Sequence, residues 1–180
     1  MLEDKLLIWR LRRGSLDALR RIYDKYKVDL LKLAIALTGD VCQSEDAVQD
    51  VFLKLVQSYD RIDIHGNLKS YLTACLVNRV RTLHRTSRRH EREVPLDPAA
   101  EASSDSPEQW AVLNDQMRLL GEAVAQLPAE QREVVVLRVD TGLGFRQIAR
   151  MQNVSLYTVQ GRYRYGMRRL RSLLNGEETQ

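Results

Sequence analysis

The sequence predicts an all-α protein in which two small helical domains are joined by a flexible linker. Apolar residues recur at three- and four-residue steps through both halves of the 180-residue chain, which is the spacing of helices with one buried face. The stretch between the halves is rich in Ala, Ser and Asp and contains three prolines but almost no large apolar residue. We therefore expect domains at residues 1–92 and 108–180, with a linker at 93–107.

Three helices are predicted in the first half. In the first helix, Ser15 can cap the start and Gly39 lies just past the end. Its periodic apolar positions are Leu16, Leu19, Tyr23, Tyr26, Leu30, Leu33 and Leu37. The second helix begins near Ser44, and its inner face carries Val48, Val51, Phe52, Leu55 and Val56. The third begins at Leu68, after a Gly-Asn break, and continues into a basic block.

Four helices are predicted in the second half. The apolar positions of the first are Trp110, Leu113, Met117, Leu120, Val124 and Leu127. Pro128 starts a helix over 130–139, and a pair of glycines ends it. A short helix over 145–151 and a turn at 153–155 precede a last helix over about 156–174. The inward positions of that last helix are Val159, Tyr163, Met167, Leu170 and Leu174.

The composition argues against several classes of protein. Hydrophobic residues make up 44% of the chain, and no apolar run is long enough for a membrane-spanning helix. The N-terminus has Glu3 and Asp4 where a signal peptide needs basic residues, so we expect a cytoplasmic protein. The two cysteines and three histidines lack metal-ligand spacing, and no phosphate loop or nucleophile–base motif occurs. We expect no metal, no cofactor and no enzymatic activity.

The distribution of charge is more informative than the formal net charge of +4. Residues 78–92 contain six arginines and one acid, and residues 161–171 contain five arginines and no acid. Residues 93–109 contain five acids and no base. Either arginine run alone is more simply interpreted as a solvated helix face. Two basic blocks separated by an acidic strip favour a polyanionic partner such as DNA.

Residues 145–162 predict a helix-turn-helix. Ala149 is small where the two helices must cross closely, and Asn153 tolerates the left-handed conformation of the turn. Ser155 can cap the second helix. The outward positions of that helix are Leu156, Tyr157, Thr158, Gln160, Arg162 and Arg164. Such a helix can enter a major groove and contact bases near its N-terminus, whereas an ordinary helical hairpin is the less favoured alternative.

Several motifs resemble regions 2 and 4 of the sigma-70 family of RNA polymerase sigma factors. Residues 127–138 (LPAEQREVVVLR) and 144–150 (GFRQIAR), with the pairs Val154-Ser155 and Thr158-Val159, resemble region 4. Residues 44–55 (SEDAVQDVFLKL) resemble region 2.2. Residues 68–78 (LKSYLTACLVN) and the basic residues after them resemble regions 2.3 and 2.4. The arrangement is most similar to the extracytoplasmic-function (ECF) group, which keeps only these two regions.

The resemblance implies a sigma factor that binds core RNA polymerase and directs promoter-specific transcription initiation. Region 2 would dock on the β′ clamp helices through one helix face that carries Asp46, Gln49, Asp50, Leu53 and Gln57. It would hold a flipped base of the −10 element near Ser58, Ile62, Cys75 and Asn78. The phosphates would be contacted by Arg79, Arg81, Arg85, Arg88 and Arg89.

Region 4, by the same resemblance, would bind the β flap and recognise the −35 element as duplex DNA. The residues implied for −35 recognition are Tyr157, Thr158, Gln160, Arg162, Arg164, Arg168 and Arg169. An anti-sigma protein is a further partner that the resemblance allows.

The chain departs from the family pattern at several positions. Gln152 stands where a leucine normally packs, and Tyr157 replaces a common Gly. Gly161 and Gly166 replace a common Ser and a common Ala in the recognition helix, where each glycine costs about 1 kcal/mol relative to Ala. Tyr71 stands in place of the usual tryptophan of region 2.3.

Two other functions remain as alternatives at this point. A stand-alone helix-turn-helix regulator would bind duplex DNA strongly without polymerase, usually as a dimer on a palindrome. A protein-interaction module, such as a decoy occupied by an anti-sigma protein, would not bind DNA. The acidic-polar face between Asp46 and Gln57 favours the sigma-factor interpretation over a repressor, which has no need of such a face.

Overall fold

The computed structural model describes residues 2–59, 67–93 and 115–175. Within these ranges the chain forms eight helices and no strand, as the sequence predicts. The helices are Leu2–Arg12 (α1), Leu16–Thr38 (α2), Val41–Gln57 (α3), Leu68–Glu93 (α4), Asp115–Ala125 (α5), Ala129–Asp140 (α6), Phe145–Gln152 (α7) and Leu156–Asn175 (α8). Helices α1, α3, α4 and most of α2 belong to one compact unit, and α5 to α8 belong to a second.

The core of the first unit is built from α2, α3 and α4. Ile22 of α2, Leu55 of α3 and Leu72 of α4 are all fully buried, with no more than 1% of each exposed. The Tyr23 and Phe52 rings meet edge to face with centroids 4.8 Å apart, which adds a specific contact between α2 and α3. Burial of such side chains is the main favourable term that holds the three helices together.

Helix α1, which the sequence analysis did not predict, is attached to α2 by a polar cluster. Lys25 Nζ lies 2.6 Å from Glu3 Oε2 and 2.8 Å from Asp4 Oδ1, and the Tyr26 hydroxyl donates to Asp4 Oδ1 at 2.9 Å. Burial and this hydrogen bond raise the pKa of Tyr26 to about 12. Periodicity did not reveal α1 because some of its apolar residues, such as the half-exposed Trp9, face outward.

The helix ends agree with the predicted caps except at the start of α3. Ser15 Oγ accepts from the Ala18 N–H at 3.3 Å, and Gly39 has a φ of +77° just past α2. Helix α3 begins at Val41 rather than near Ser44, because Asp40 is its N-cap and accepts from the Gln43 N–H at 2.8 Å. Ser44 is instead fully buried inside the helix.

Some apolar residues that the periodicity assigned to the inner faces are exposed. They are Leu16, Tyr23, Val56, Leu120 and Leu174. Leu16 and Leu174 lie in the first and last turns of their helices. In the first half of α2, Ala18 and Ile22 are buried instead of Leu16 and Tyr23. The later positions of the predicted stripe are buried as predicted, and they are Tyr26, Leu30, Leu33 and Leu37. Helical spacing alone does not fix the rotation of a helix that has apolar residues on adjacent positions.

The second unit is organised around α6 and its contact with α8. Four consecutive residues of α6, Val134 to Leu137, are buried, so this short helix is enclosed on several sides. Gly166 of α8 is also buried, and a Cβ atom placed on it would lie 2.8 Å from Val135 Cγ2. Glycine at 166 therefore permits α8 to cross α6 closely, which offsets its low helix propensity.

The two glycines of α8 should respond to alanine substitution with opposite signs. Gly166→Ala should destabilise the second unit by about 1–2 kcal/mol, since overpacking against Val135 outweighs the gain in helix propensity. Gly161→Ala, where nothing lies within 4 Å of an added Cβ, should stabilise by about 1 kcal/mol. Thermal or urea unfolding of the two variants measures both effects. Equal stabilisation by both would contradict the close crossing.

Candidate functional site

The turn between α7 and α8 has the geometry of a helix-turn-helix. Asn153 is left-handed, with φ 52° and ψ 45°. The Val154 N–H donates to the Ala149 carbonyl at 3.1 Å. Ser155 Oγ accepts from the Thr158 N–H at 3.1 Å and so caps α8. The predicted roles of Asn153 in the turn and Ser155 at the cap are confirmed.

The outward side of α8 carries the residues implied for −35 recognition. Tyr157 has 84% of its surface exposed. The other exposed members are Thr158, Gln160, Arg164, Arg168 and Arg169. Arg162 differs because it is only half-exposed. The structure therefore groups these seven residues on one helix but gives Arg162 a distinct environment.

A polar bridge that joins three helices accounts for the position of Arg162. Arg162 Nη1 donates to Gln152 Oε1 at 2.7 Å, and Gln152 Nε2 donates to Glu133 Oε1 at 2.9 Å. Glu133 belongs to α6, Gln152 ends α7 and Arg162 belongs to α8. The sequence analysis noted Gln152 only as a replacement for a packing leucine. Its amide is the central member of this Glu133–Gln152–Arg162 bridge.

Helix α3 has two faces of opposite character. Its buried residues include Val51, Phe52 and Leu55. The face predicted to bind polymerase lies on the other side: Asp46, Gln49, Leu53 and Gln57 are exposed, and Asp50 is half-buried. Leu53 is 55% exposed among these polar neighbours. The five residues thus form one acidic-polar surface with a leucine at its centre, which we call the α3 face.

An ion pair connects the α3 face to the basic block of α4. Asp50 Oδ2 and Arg79 Nε lie 2.5 Å apart, in ion-pair contact but without the alignment of a hydrogen bond. The side chains of Asp50 and Arg79 retain 40% and 37% of their exposure, although the Arg79 Nε atom itself is buried. Sequence reasoning had assigned Asp50 to polymerase and Arg79 to DNA, without a contact between them. Asp50 and Arg79 are 29 residues apart, and no sequence pattern predicts a contact between two side chains at that distance along the chain.

Three side chains lie together between the end of α3 and α4. Two of them, Ser58 and Cys75, are implied for the −10 pocket, and the third is Tyr71. The Tyr71 hydroxyl is within hydrogen-bonding reach of Ser58 and Cys75, and burial raises the pKa of Tyr71. Burial also raises the pKa of the Cys75 thiol. Asn78 is exposed and follows Cys75 by three residues, which places it on the same side of α4. Tyr71 thus belongs to this cluster, although sequence reasoning considered it only as a substitute for tryptophan.

The remaining residues implied for −10 binding are described only in part. Arg85 is exposed, and Arg81 is half-buried and has an interaction partner. Ile62 and the side chains of Arg88 and Arg89 lie outside the described residues. The Thr82 hydroxyl donates to the Asn78 carbonyl at 2.9 Å, so the backbone of this segment is satisfied within the helix.

A shallow groove between α2 and α3 borders the α3 face. Its lining is Tyr23, Lys27, Val28, Leu31, Glu45, Val48 and Gln49. Gln49 belongs to both the groove and the α3 face, and Val28 is half-exposed. Sequence reasoning overlooked this groove because it interpreted Tyr23 as a core residue.

The part of the chain that the structure describes contains no group of three His, Cys, Asp or Glu side chains arranged to hold a metal ion. Among the same residues, no helix combines the length and the apolar character that crossing a membrane requires.

Comparison with protein families gives two matches in the order that the motifs indicate. The model of sigma-70 region 2 matches residues 22–90, and that of sigma-70 region 4 matches residues 123–172. Together they match well over half of the chain. The first match contains the α3 face and the Tyr71 cluster, and the second contains the helix-turn-helix.

Solved structures share this fold. CnrH, solved in complex with the cytosolic domain of CnrY, superposes with a TM-score of 0.69 at 20% identity, over 98% of this chain and 99% of that one. RpoE of Bartonella quintana, solved with the anti-sigma factor NepR, has a TM-score of 0.65 at 23% identity, over 87% and 98%.

Sequence relatives carry a consistent description. The ECF RNA polymerase sigma factor SigL of Mycobacterium tuberculosis is 29% identical over 157 residues, which are 87% of this chain and 88% of SigL. The ECF RNA polymerase sigma factor SigW of Bacillus subtilis is 26% identical in an alignment 182 positions long, which covers 94% of this chain and 96% of SigW. This chain belongs to the sigma-70 family, in its ECF group, and functions with RNA polymerase in promoter-directed transcription initiation.

Proposed function

We propose that this sigma factor docks on core polymerase through the α3 face and recognises the promoter through α4 and α8. The observation that carries the proposal is the helix-turn-helix at Asn153, whose second helix presents exposed polar and basic residues at its N-terminal end. The corresponding domains would be residues 1–92 and 108–180, with a linker at 93–107. Transcription chemistry would belong to the polymerase, and the sigma factor itself would have no catalytic activity.

The proposed contact with polymerase combines charge and apolar area. Asp46 and Asp50 supply negative charge, and Leu53 supplies exposed apolar surface between polar residues. A basic helical partner such as the β′ clamp helices complements such a face, because opposite charges guide docking and the leucine is buried on contact. Helices of the second unit would bind the β flap.

The proposed −10 contact uses the Tyr71 cluster and Asn78. Extruding a base from the stack costs a few kcal/mol, which stacking and hydrogen bonds in a pocket recover. Tyr71 offers a ring and a hydroxyl beside Ser58 and Cys75, and Asn78 offers an amide that can both donate and accept. Ile62 completes the proposed pocket, and the arginines of the basic block contact phosphates.

The proposed −35 contact places α8 in the major groove. Tyr157, Thr158 and Gln160 lie in the first turns of the helix, where they reach base edges. Arg168 and Arg169 lie three turns further along and would contact the backbone instead. Arg162 and Arg164 lie between these groups.

Further partners follow from the structural relatives. Both RpoE of Bartonella quintana and CnrH were solved with a bound protein, and the partner of RpoE is an anti-sigma factor. We propose that an anti-sigma protein also binds this chain. We expect this chain to act in the cytoplasm, where the polymerase is, without contact to a membrane.

Dependence on core polymerase is the property that distinguishes the proposed sigma-factor mechanism from that of a stand-alone helix-turn-helix regulator. The chain alone should bind duplex promoter DNA weakly, since each unit offers few phosphate contacts. Each unit must also be oriented on the DNA separately, and each loses its own rotational entropy. Core polymerase should hold both domains at the −10 to −35 spacing, which raises promoter affinity by about 10²–10⁴-fold through effective concentration. Gel shifts at fixed salt, with and without core enzyme, measure the difference. Nanomolar, sequence-specific binding by the chain alone would support the regulator instead.

Charge reversal on the α3 face should remove polymerase binding. Asp46→Lys combined with Asp50→Lys should weaken core affinity by roughly 100-fold, because like charges would then face a basic partner. The melting temperature should fall only slightly, since Asp46 is exposed and the Asp50–Arg79 pair that is lost has partly exposed side chains. Co-purification or fluorescence anisotropy with core enzyme is the measurement.

Two controls make this experiment specific. Asp24→Lys makes the same charge change at an exposed position of α2 and should leave core affinity near that of wild type. Asp46→Lys alone leaves the Asp50–Arg79 pair intact, so a partial loss with this variant separates docking from the effect on Arg79. Wild-type affinity in the double variant would eliminate the α3 face as the docking surface.

Asn78→Ala should relax −10 sequence choice more than it weakens overall promoter binding. Base contacts carry sequence information, whereas phosphate contacts give affinity without it. We expect the preference at one −10 base to fall by about fivefold or more. Arg85→Ala is the matched control on the same helix and should weaken all promoters evenly. A promoter-library selection with unchanged −10 preferences would remove Asn78 from the pocket.

A further inference from the structure

The Glu133–Gln152–Arg162 bridge depends on the carboxamide of Gln152 at its centre. Gln152 accepts from the Arg162 guanidinium through Oε1 and donates to the Glu133 carboxylate through Nε2. Only a side chain with both an acceptor and a donor can serve a cation and an anion in this way. An apolar residue at 152 would leave both half-buried charged groups without this connection.

The bridge restricts the direction in which Arg162 can point. A free arginine samples many rotamers, and holding it in one orientation costs conformational entropy at the moment of binding. The 2.7 Å hydrogen bond from Nη1 fixes one end of the guanidinium before DNA arrives, while the group has five N–H donors in total. The remaining donors are available to the fork geometry that reads guanine.

Arg162 is the basic residue of α8 whose orientation matters most for base reading. It follows the first turns of the recognition helix, ahead of Arg164, Arg168 and Arg169. Those three are exposed, whereas Arg162 is half-buried against α7. When its guanidinium is held in this way, Arg162 can present its donors to the bases of a major groove in one orientation only.

We propose that Gln152 is a positioning residue that sets −35 selectivity by orienting Arg162, although it contacts no DNA itself. The inference rests on the proposed function, in which α8 enters the major groove. Glu133 acts one step further back, because it holds the amide of Gln152 in the orientation that presents Oε1 to Arg162. The residue at 152 thus determines base preference at the position that Arg162 reads.

The test is a −35 promoter-library selection with reconstituted holoenzyme. A bidentate arginine–guanine contact discriminates by about 5- to 150-fold. Arg162→Ala should abolish that preference at one base pair, and Gln152→Leu should reduce it by about fivefold or more at the same base pair. Gln126→Leu, the same change at an exposed position of the second unit, is the matched control and should leave the preference unchanged.

A double substitution separates positioning from packing. If Gln152 acts through Arg162, Gln152→Leu should add no further change in −35 preference to the Arg162→Ala variant. Gln152→Glu keeps an acceptor for Arg162 and should retain most of the discrimination, although it loses the bond to Glu133. Melting temperatures of all variants identify any that fail to fold. If the leucine variant does not fold, Gln152→Met, which keeps the length of the side chain but lacks the amide, replaces it in both the single and the double substitution.

The outcomes are distinct. Wild-type −35 preferences in Gln152→Leu, with an altered preference in Arg162→Ala, would overturn the role of Gln152 and leave the proposed function standing. A Gln152→Leu effect that persists without Arg162 would also overturn it. Unchanged −35 preferences in both Arg162→Ala and Thr158→Ala would overturn the proposed recognition role of α8 and this inference together.

Discussion

The close crossing of α6 and α8 is the constraint on which the second unit depends. Gly166 lets the backbone of α8 approach Val135, and no side chain larger than hydrogen fits there without a shift. Because α6 is buried over four consecutive residues, it cannot move to relieve a clash without opening the core. The same helix carries Glu133, so the packing contact also fixes one end of the polar bridge to Arg162. Placement of α8 and orientation of its half-buried Arg162 thus have a common origin.

In the first unit, the same helices provide both the core and the exposed polar surfaces, on opposite faces. One side of α3 is part of the core with Phe52 and Leu55, and the other side is the acidic-polar α3 face. Helix α4 likewise packs through Leu72 and Leu76 and carries Asn78 on an exposed side. Apolar burial fixes the helices, and the residues left outside are then free to differ without cost to the fold.

The sequence predicted the helices and turns best where a local chemical signal marks them. Ser15, Asn153 and Ser155 are such signals, since each acts through a hydrogen bond or a backbone conformation of its own segment. Helix α1 was missed because apolar residues such as Trp9 face outward, and because the polar cluster that attaches it joins Lys25 to residues about twenty positions earlier. The Gln152 bridge and the Asp50–Arg79 pair were likewise invisible, because each depends on how separate helices pack. The spacing of apolar residues predicted most of the buried positions of each helix, but contacts between side chains of different helices could not be predicted from it.

The Asp50–Arg79 pair bears on how the two proposed surfaces of the first unit operate together. Both side chains keep more than a third of their exposure, and ion pairs of that kind contribute at most about 1 kcal/mol. An arginine held this weakly can exchange a carboxylate for a DNA phosphate at little net cost, since one anion replaces another. If a basic helix of the polymerase engages Asp50, it competes with Arg79 for the same carboxylate, and Arg79 is released towards the DNA. Under the proposed function, docking and promoter contact would then favour each other through this single shared charge.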